Sequence, residues 1–208
     1  VSRGFFITLE GGEGAGKSTQ NRRIADWLRQ HGREVVETRE PGGTAISEQI
    51  RGTLLDTRNA GLDAKTELLL MFAARAQLLS DVIRPALAAG KVVVSDRFTD
   101  ASYAYQGGGR QLGAHNVSLL EQLVHPDLQP DLTLLFDIAV EDGLSRVAGR
   151  GESDRFEQES AAFFIRVRAA YLERARAHPQ RFVIVDAGRG EQEVWRQVEE
   201  ALRARMEP

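Results

Sequence analysis

Cysteine is absent from all 208 residues, which removes disulfides, thiolate metal sites and thiol nucleophiles from consideration and fits a reducing compartment. No apolar stretch approaches the roughly 18 residues of a membrane span, and the first residues show no basic region followed by an apolar core and cleavage site. The expectation is a cytoplasmic protein. Charge of one sign is also missing: 27 basic residues face 30 acidic ones, a net charge of −3, so no whole-molecule field favours nucleic acid or an anionic membrane. Lysine occurs only at Lys17, Lys65 and Lys91, with arginine supplying the other basic residues, so an isolated arginine carries little meaning. Without repeats or low-complexity linkers, residues 1–208 suit one α/β domain with room for a short insertion.

What the chain does carry begins at Gly11-Gly12-Glu13-Gly14-Ala15-Gly16-Lys17-Ser18. This is a complete G-x4-G-K-[ST] phosphate loop between an apolar run and a helix-period segment. Glycines let backbone N–H groups turn toward phosphates, and the following helix adds its positive end. Lys17 reaches the β- and γ-phosphates, and Ser18 can ligate Mg²⁺. Residues Gly11 to Ser18, with Thr19, are therefore expected to hold a nucleoside triphosphate.

Short apolar runs at 5–9, 35–38, 92–95, 132–137 and 182–186 read as strands. Helical patterns occupy about 17–31, 45–55, 63–89, 115–124, 140–149, 156–177 and 191–205. Apolar runs joined by crossovers of helical length predict a parallel sheet covered on both faces. Ligands in such sheets collect beyond the C-terminal strand ends. That rule nominates Glu10, Arg39, Glu40, Asp96, Arg97, Asp137 and Asp186.

Several constellations add chemistry. Residues 38–44, Thr-Arg-Glu-Pro-Gly-Gly-Thr, form a turn with a charged pair that a turn alone does not need. Asp96-Arg97-Phe98 repeats the pairing at the third strand. Arginine grips phosphate bidentately, and aspartate can orient Mg²⁺-bound water or the arginine itself; either pair could equally be a structural ion pair. Residues 101–110 mix Ser102, Tyr103, Tyr105, Gln106 and a glycine run, a composition suited to a wall around a flat polar ring. Within the apolar pattern of 67–79, Arg75 follows Phe72 by three residues, and a buried arginine requires a partner. Residues 146–157 are charged and broken by glycine. They predict a mobile lid at about 149–156 bearing Arg150 and Arg155, since phosphoryl transfer needs positive groups around the migrating group and exclusion of water; a solvated loop is the plainer alternative.

Taken in order, residues 10–18, 39–44, 96–98, 106–110 and 149–157 resemble the motifs of bacterial thymidylate kinases, over nearly the whole chain. The resemblance implies a P-loop kinase fold with a five-stranded parallel sheet flanked by helices, and a homodimer built by helix packing. It implies transfer of the ATP γ-phosphoryl to dTMP, with Mg²⁺, giving dTDP and ADP; neither nucleic acid nor membrane is an implied partner. It also assigns roles. Glu13 lies near the acceptor sugar, Arg39 beside the acceptor pocket, and Arg51 and Arg97 on the dTMP phosphate. Phe72 stacks on thymine, Arg75 bonds a ring oxygen, Ser102 meets the N3 edge, and Gln106 joins the pocket. Tyr105 closes the space of a ribose 2′-hydroxyl. Lys17, Arg97, Arg150 and Arg155 act on the transferred group, and Ser18 and Asp96 on the metal.

One departure stands out. The family places its stacking aromatic four residues before the base-binding arginine, where this chain has Met71, and Phe72 is three before. Either the ring stacks from a rotated position or Met71 supplies the contact. Among other functions, a GTPase switch would carry an Asn-Lys-x-Asp guanine reader, and no Asn-Lys pair occurs. A P-loop kinase for another nucleoside monophosphate is the nearer alternative, disfavoured by Arg-Glu-Pro-Gly-Gly and by residues 106–110.

Overall fold

In the computed structural model, described for residues 3–148 and 154–206, five parallel strands form one sheet in the order β2-β3-β1-β4-β5. They are β1 Phe5–Gly11, β2 Val35–Arg39, β3 Val92–Asp96, β4 Leu132–Asp137 and β5 Phe182–Asp186. The last two have the expected bounds. The first three run one or two residues further than their apolar content, because the ladder and not hydrophobicity sets their ends: Asp96 lies opposite both Leu9 and Arg39. Central β1 pairs with β3 on one side and β4 on the other. The winding reverses there, and a crevice opens at the C-terminal ends of β1 and β3.

Strand alternation distributes β1 between two layers. Ile7 and Leu9 pack on Ile24 and Leu28 of α1 (Lys17–Gln30) and on Val198 and Leu202 of α9 (Glu191–Met206). Phe6 turns to the opposite face against Leu78 and Ile83. The Thr8 and Thr133 hydroxyls meet there at 3.0 Å, and Glu10 is fully buried on that same side. This layer holds α3 (Ala64–Leu78), α4 (Arg84–Ala88) and α8 (Ala161–Ala177). The remaining helices are α2 (Ala45–Leu55), α5 (Thr99–Ser102), α6 (Ala114–Val124) and α7 (Val140–Val147).

Two expected elements differ. The single helix over 63–89 is interrupted by a wide π-type turn at Leu79–Ile83, placed just before Pro85, which can neither donate to the helical ladder nor tolerate a carbonyl four residues back. Helix α8 starts at Ala161 and not at 156, capped by Ser160, whose hydroxyl accepts from the Phe163 N–H. Residues 103–109 coil into a second π-type helical turn whose glycines serve packing: a Cβ on Gly109 would sit 2.5 Å from the Phe163 ring.

Candidate active site

A cavity of about 380 Å³ lies at the C-terminal ends of β1, β2 and β3. One end is the phosphate loop. Gly16 caps α1 at φ 81°, and nothing comes within 4 Å of where its Cβ would be, so the positive end of a 14-residue helix is open to an anion. Residues Glu13 to Thr19 line the cavity. Gly11 and Gly12 lie behind, their carbonyls accepting hydrogen bonds from Lys17 Nζ at 3.0 and 2.8 Å. Burial, and after it the Arg97 guanidinium, push the Lys17 ammonium down to about 8.

Arg97 stands at the centre. Its Nη2 donates to Glu13 Oε1 at 2.7 Å, the oxygen that also accepts from Tyr105 Oη at 2.7 Å, and its guanidinium lies 4.7 Å from the Tyr105 ring centroid. Burial alone would raise the Glu13 carboxyl, but Arg97 and Lys17 outweigh it and hold the group below its ordinary value. Glu13 is thus a charged acceptor flanked by two cations.

The far end is built around Arg75, which is 2% exposed. Its Nε donates to Glu40 Oε2 at 2.7 Å, and its Nη2 donates to Ser102 Oγ at 3.0 Å and to the Phe98 carbonyl at 3.3 Å. Two atoms of this buried pair, Arg75 Nη1 and Glu40 Oε1, have no partner. Met71, Gln106, Arg39 and Arg51 complete the wall. Arg39 Nη2 donates to both Glu48 carboxylate oxygens, Arg51 Nη1 to the Pro41 carbonyl, and Gln106 Nε2 to Glu67 Oε1. One cavity therefore joins a triphosphate cradle to a second pocket that offers cations for an anion and a polar corner for a flat ring.

Comparison with known proteins identifies the family: the family model for thymidylate kinase matches residues 9–198. The chain belongs to the thymidylate kinase family. A thymidylate kinase of Pseudomonas putida (strain F1) is 57% identical over 204 residues, 98% of this chain and 97% of that protein. One of Pseudomonas syringae pv. syringae is 61% identical over 184 residues, 88% of each. The crystal structure of thymidylate kinase from Ehrlichia chaffeensis superposes with a TM-score of 0.78 at 32% identity, covering 97% of this chain and 99% of that one.

In this thymidylate kinase family member, two expected site side chains turn away from the cavity. Phe72 is not in the cavity. It packs with Leu68, Tyr103 and Val117, and Arg75 rests 4.4 Å above its ring, so it supports Arg75 from behind while Met71 faces the cavity. Helical geometry explains the exchange: at 3.6 residues per turn, position 71 lies about 40° from Arg75 around α3 and position 72 about 60° away on the other side. Arg155 is likewise turned inward and 5% exposed. Its Nε donates to the Leu54 carbonyl at 2.8 Å and its Nη2 lies 2.6 Å from Glu67 Oε2, so it is a structural ion pair and not a cation aimed at the cavity. Arg150 and residues 149–153 of the expected lid lie outside the described residues. Of the nominated strand ends, Asp137 pairs with Arg168 and Asp186 with Arg189; both belong to β4 and β5, on the far side of the point where the winding reverses.

Glu67 is the participant that the sequence reading missed. This fully buried carboxylate accepts from Gln106 and Arg110 and pairs with Arg155, tying α3 to the turn that carries Tyr105 and to the segment before α8. Its signal was the spacing of Glu67, Met71 and Arg75 at i, i+4 and i+8, one side of a helix.

Proposed function

We propose that this protein transfers the γ-phosphoryl of ATP to the 5′-phosphate of dTMP, forming dTDP and ADP. The observation that carries the reading is the continuity of the cavity, in which the phosphate loop and the Arg75–Ser102 corner face one another across Arg97. ATP lies along Gly11 to Thr19, and the dTMP phosphate against Arg39, Arg51 and Arg97. Met71 contacts the base, whose polar edge meets Arg75, Ser102 and Gln106. Tyr105, fixed by its bond to Glu13, takes the space beside the sugar where a 2′-hydroxyl would stand. Lys17 and Arg97 supply positive charge where charge spreads over the transferred phosphoryl oxygens.

Mg²⁺ fits this donor set. Ser18 and Asp96 both border the cavity, and Asp96 Oδ1 is buried without a hydrogen-bond partner. These two would supply one or two protein oxygens to an ion otherwise held by phosphate and water. When bound it would neutralise phosphate charge. A cytoplasmic homodimer completes the proposal: Leu69 of α3 and Leu119 and Leu123 of α6 are 57%, 52% and 77% exposed on two helices that pack together. Among the described residues no helix is long and apolar enough to cross a membrane.

An ADP-release assay against the nucleoside monophosphates tests the reaction. The kcat/KM for dTMP is expected to exceed those for AMP, GMP and CMP by roughly 100-fold or more, because a site with buried polar groups rejects bases that leave them unpaired. Faster turnover of any of those three overturns the reading. The exchange on α3 gives a second expectation. Met71→Ala raises the KM for dTMP about fivefold, the loss of roughly 1 kcal/mol of apolar contact, with little change in melting. Phe72→Ala destabilises the fold by about 3–5 kcal/mol. A Phe72→Leu protein with unchanged melting and a raised dTMP KM would put the aromatic back into the pocket.

A further inference from the structure

Arg97 has φ 71°, one of two non-glycine residues with positive φ among the described residues. That conformation costs a side-chain-bearing residue on the order of 1 kcal/mol or more and persists only where its surroundings impose it. Here they do. The Arg97 N–H donates to the Leu9 carbonyl at 2.9 Å, and its own carbonyl accepts from Ser95 Oγ at 2.7 Å.

Two further residues reach Arg97 from beneath the cavity, which neither of them lines. Glu10 Oε1 accepts the N–H of the next residue, Phe98, at 2.7 Å. Glu10 Oε2 accepts from Tyr171 Oη at 2.7 Å, and that phenol oxygen in turn accepts from Arg97 Nη1 at 3.2 Å. The same Nη1 donates to the Gly11 carbonyl at 3.0 Å. One buried carboxyl group thus grips Arg97 at both ends: through Phe98 at the backbone, and through Tyr171 at the guanidinium. Glu10 is fully buried and Tyr171 is 1% exposed. Burial, and after it the charge of Asp100, pushes the Glu10 carboxyl up to about 8, and the groups that oppose that push, Tyr171, Arg97 and the Phe98 N–H, are the ones that set the position of Arg97.

We propose that Glu10 and Tyr171 are positioning residues that hold both the backbone and the guanidinium of Arg97 for phosphoryl transfer. The inference rests on the kinase reading given above. It separates two tasks that share one layer of the fold: Glu13 and Tyr105 face the cavity beside Arg97, whereas Glu10 and Tyr171 fix its direction from behind.

The test is a double-mutant cycle. Tyr171→Phe keeps the ring and its packing with Phe163 and Phe182 and removes only the bridging hydroxyl. In the otherwise unaltered enzyme it should lower kcat about tenfold or more and raise the KM for dTMP, with the KM for ATP within about twofold. In an Arg97→Gly background no guanidinium remains to be held, and the same substitution should change kcat by less than about twofold; coupling of this kind marks residues acting through a shared partner. A merely structural role would give equal losses in both backgrounds. Equal losses, or no loss in either, overturns the proposal. Glu10→Gln, which preserves volume and can still accept from Phe98, is carried through the same cycle with the same expectations, and decides the matter if Tyr171→Phe fails to fold. Absence of dTMP turnover by the unaltered chain would instead overturn the reading of the reaction.

Discussion

Replacing Lys17 with Met lowers kcat by about 10³-fold or more, roughly 4 kcal/mol of lost transition-state stabilisation, and leaves the melting temperature within a few degrees. The first half follows from position: Nζ is the cation of the phosphate loop, at the start of α1 beside the open helix end. The second follows from its partners, two backbone carbonyls that lose one donor while the methionine stem preserves the packing. A further readout comes from charge. Burial, reinforced by Arg97, holds the ammonium near 8, and a bound triphosphate favours the charged form and raises it again. Binding of ATP above about pH 8 should therefore take up a proton. Calorimetric titration in buffers of different ionisation enthalpy measures that uptake, which the Lys17→Met protein should lack. A folded variant with near-normal kcat would remove this loop from the mechanism.

Arg97→Gly should cost about 10²–10³-fold in the rate of the chemical step with almost no loss of stability. Arg97 is central to the cavity, bonded to Glu13, Gly11 and Tyr171 at once, and removal of one well-placed donor to developing charge has effects of this size. Stability is spared because two changes oppose each other. Glycine adopts φ 71° without strain, which offsets the loss of the partly buried Glu13 pair. Arg97→Lys should recover little, since a single ammonium cannot meet three directed acceptors as a guanidinium does. Single-turnover kinetics at saturating ATP and dTMP give the rate, and thermal melts give the stability. A loss of less than tenfold would mean that Lys17 and the metal meet the transferred charge without Arg97.

The sequence by itself determined those features whose cause is local. The phosphate loop is a contiguous run in which glycine, lysine and serine act through backbone geometry, and the strands at 132–137 and 182–186 are apolar runs legible in sequence, β4 buried along its length and edge strand β5 leaving Ile184 50% exposed. The site ends of β1, β2 and β3 followed from the rule for parallel sheets. That rule could not say on which side of β1 the cavity opens, so Asp137 and Asp186 stood as equal candidates until the strand order placed β4 and β5 beyond the reversal of winding. Tertiary structure also decided the direction of side chains whose neighbours are distant in sequence. Arg155 turns away from the cavity because Glu67, 88 residues earlier, is buried without solvent and needs counter-charge. Met71 takes the cavity wall from Phe72 because the packing of α3 on α6 claims the phenyl ring for Tyr103 and Val117. Glu10 and Tyr171 meet under Arg97 only because α8 crosses the face of β1. Periodicity identifies which residues share one face of an element, and the desolvation of charge across elements decides which of them turn toward the substrate.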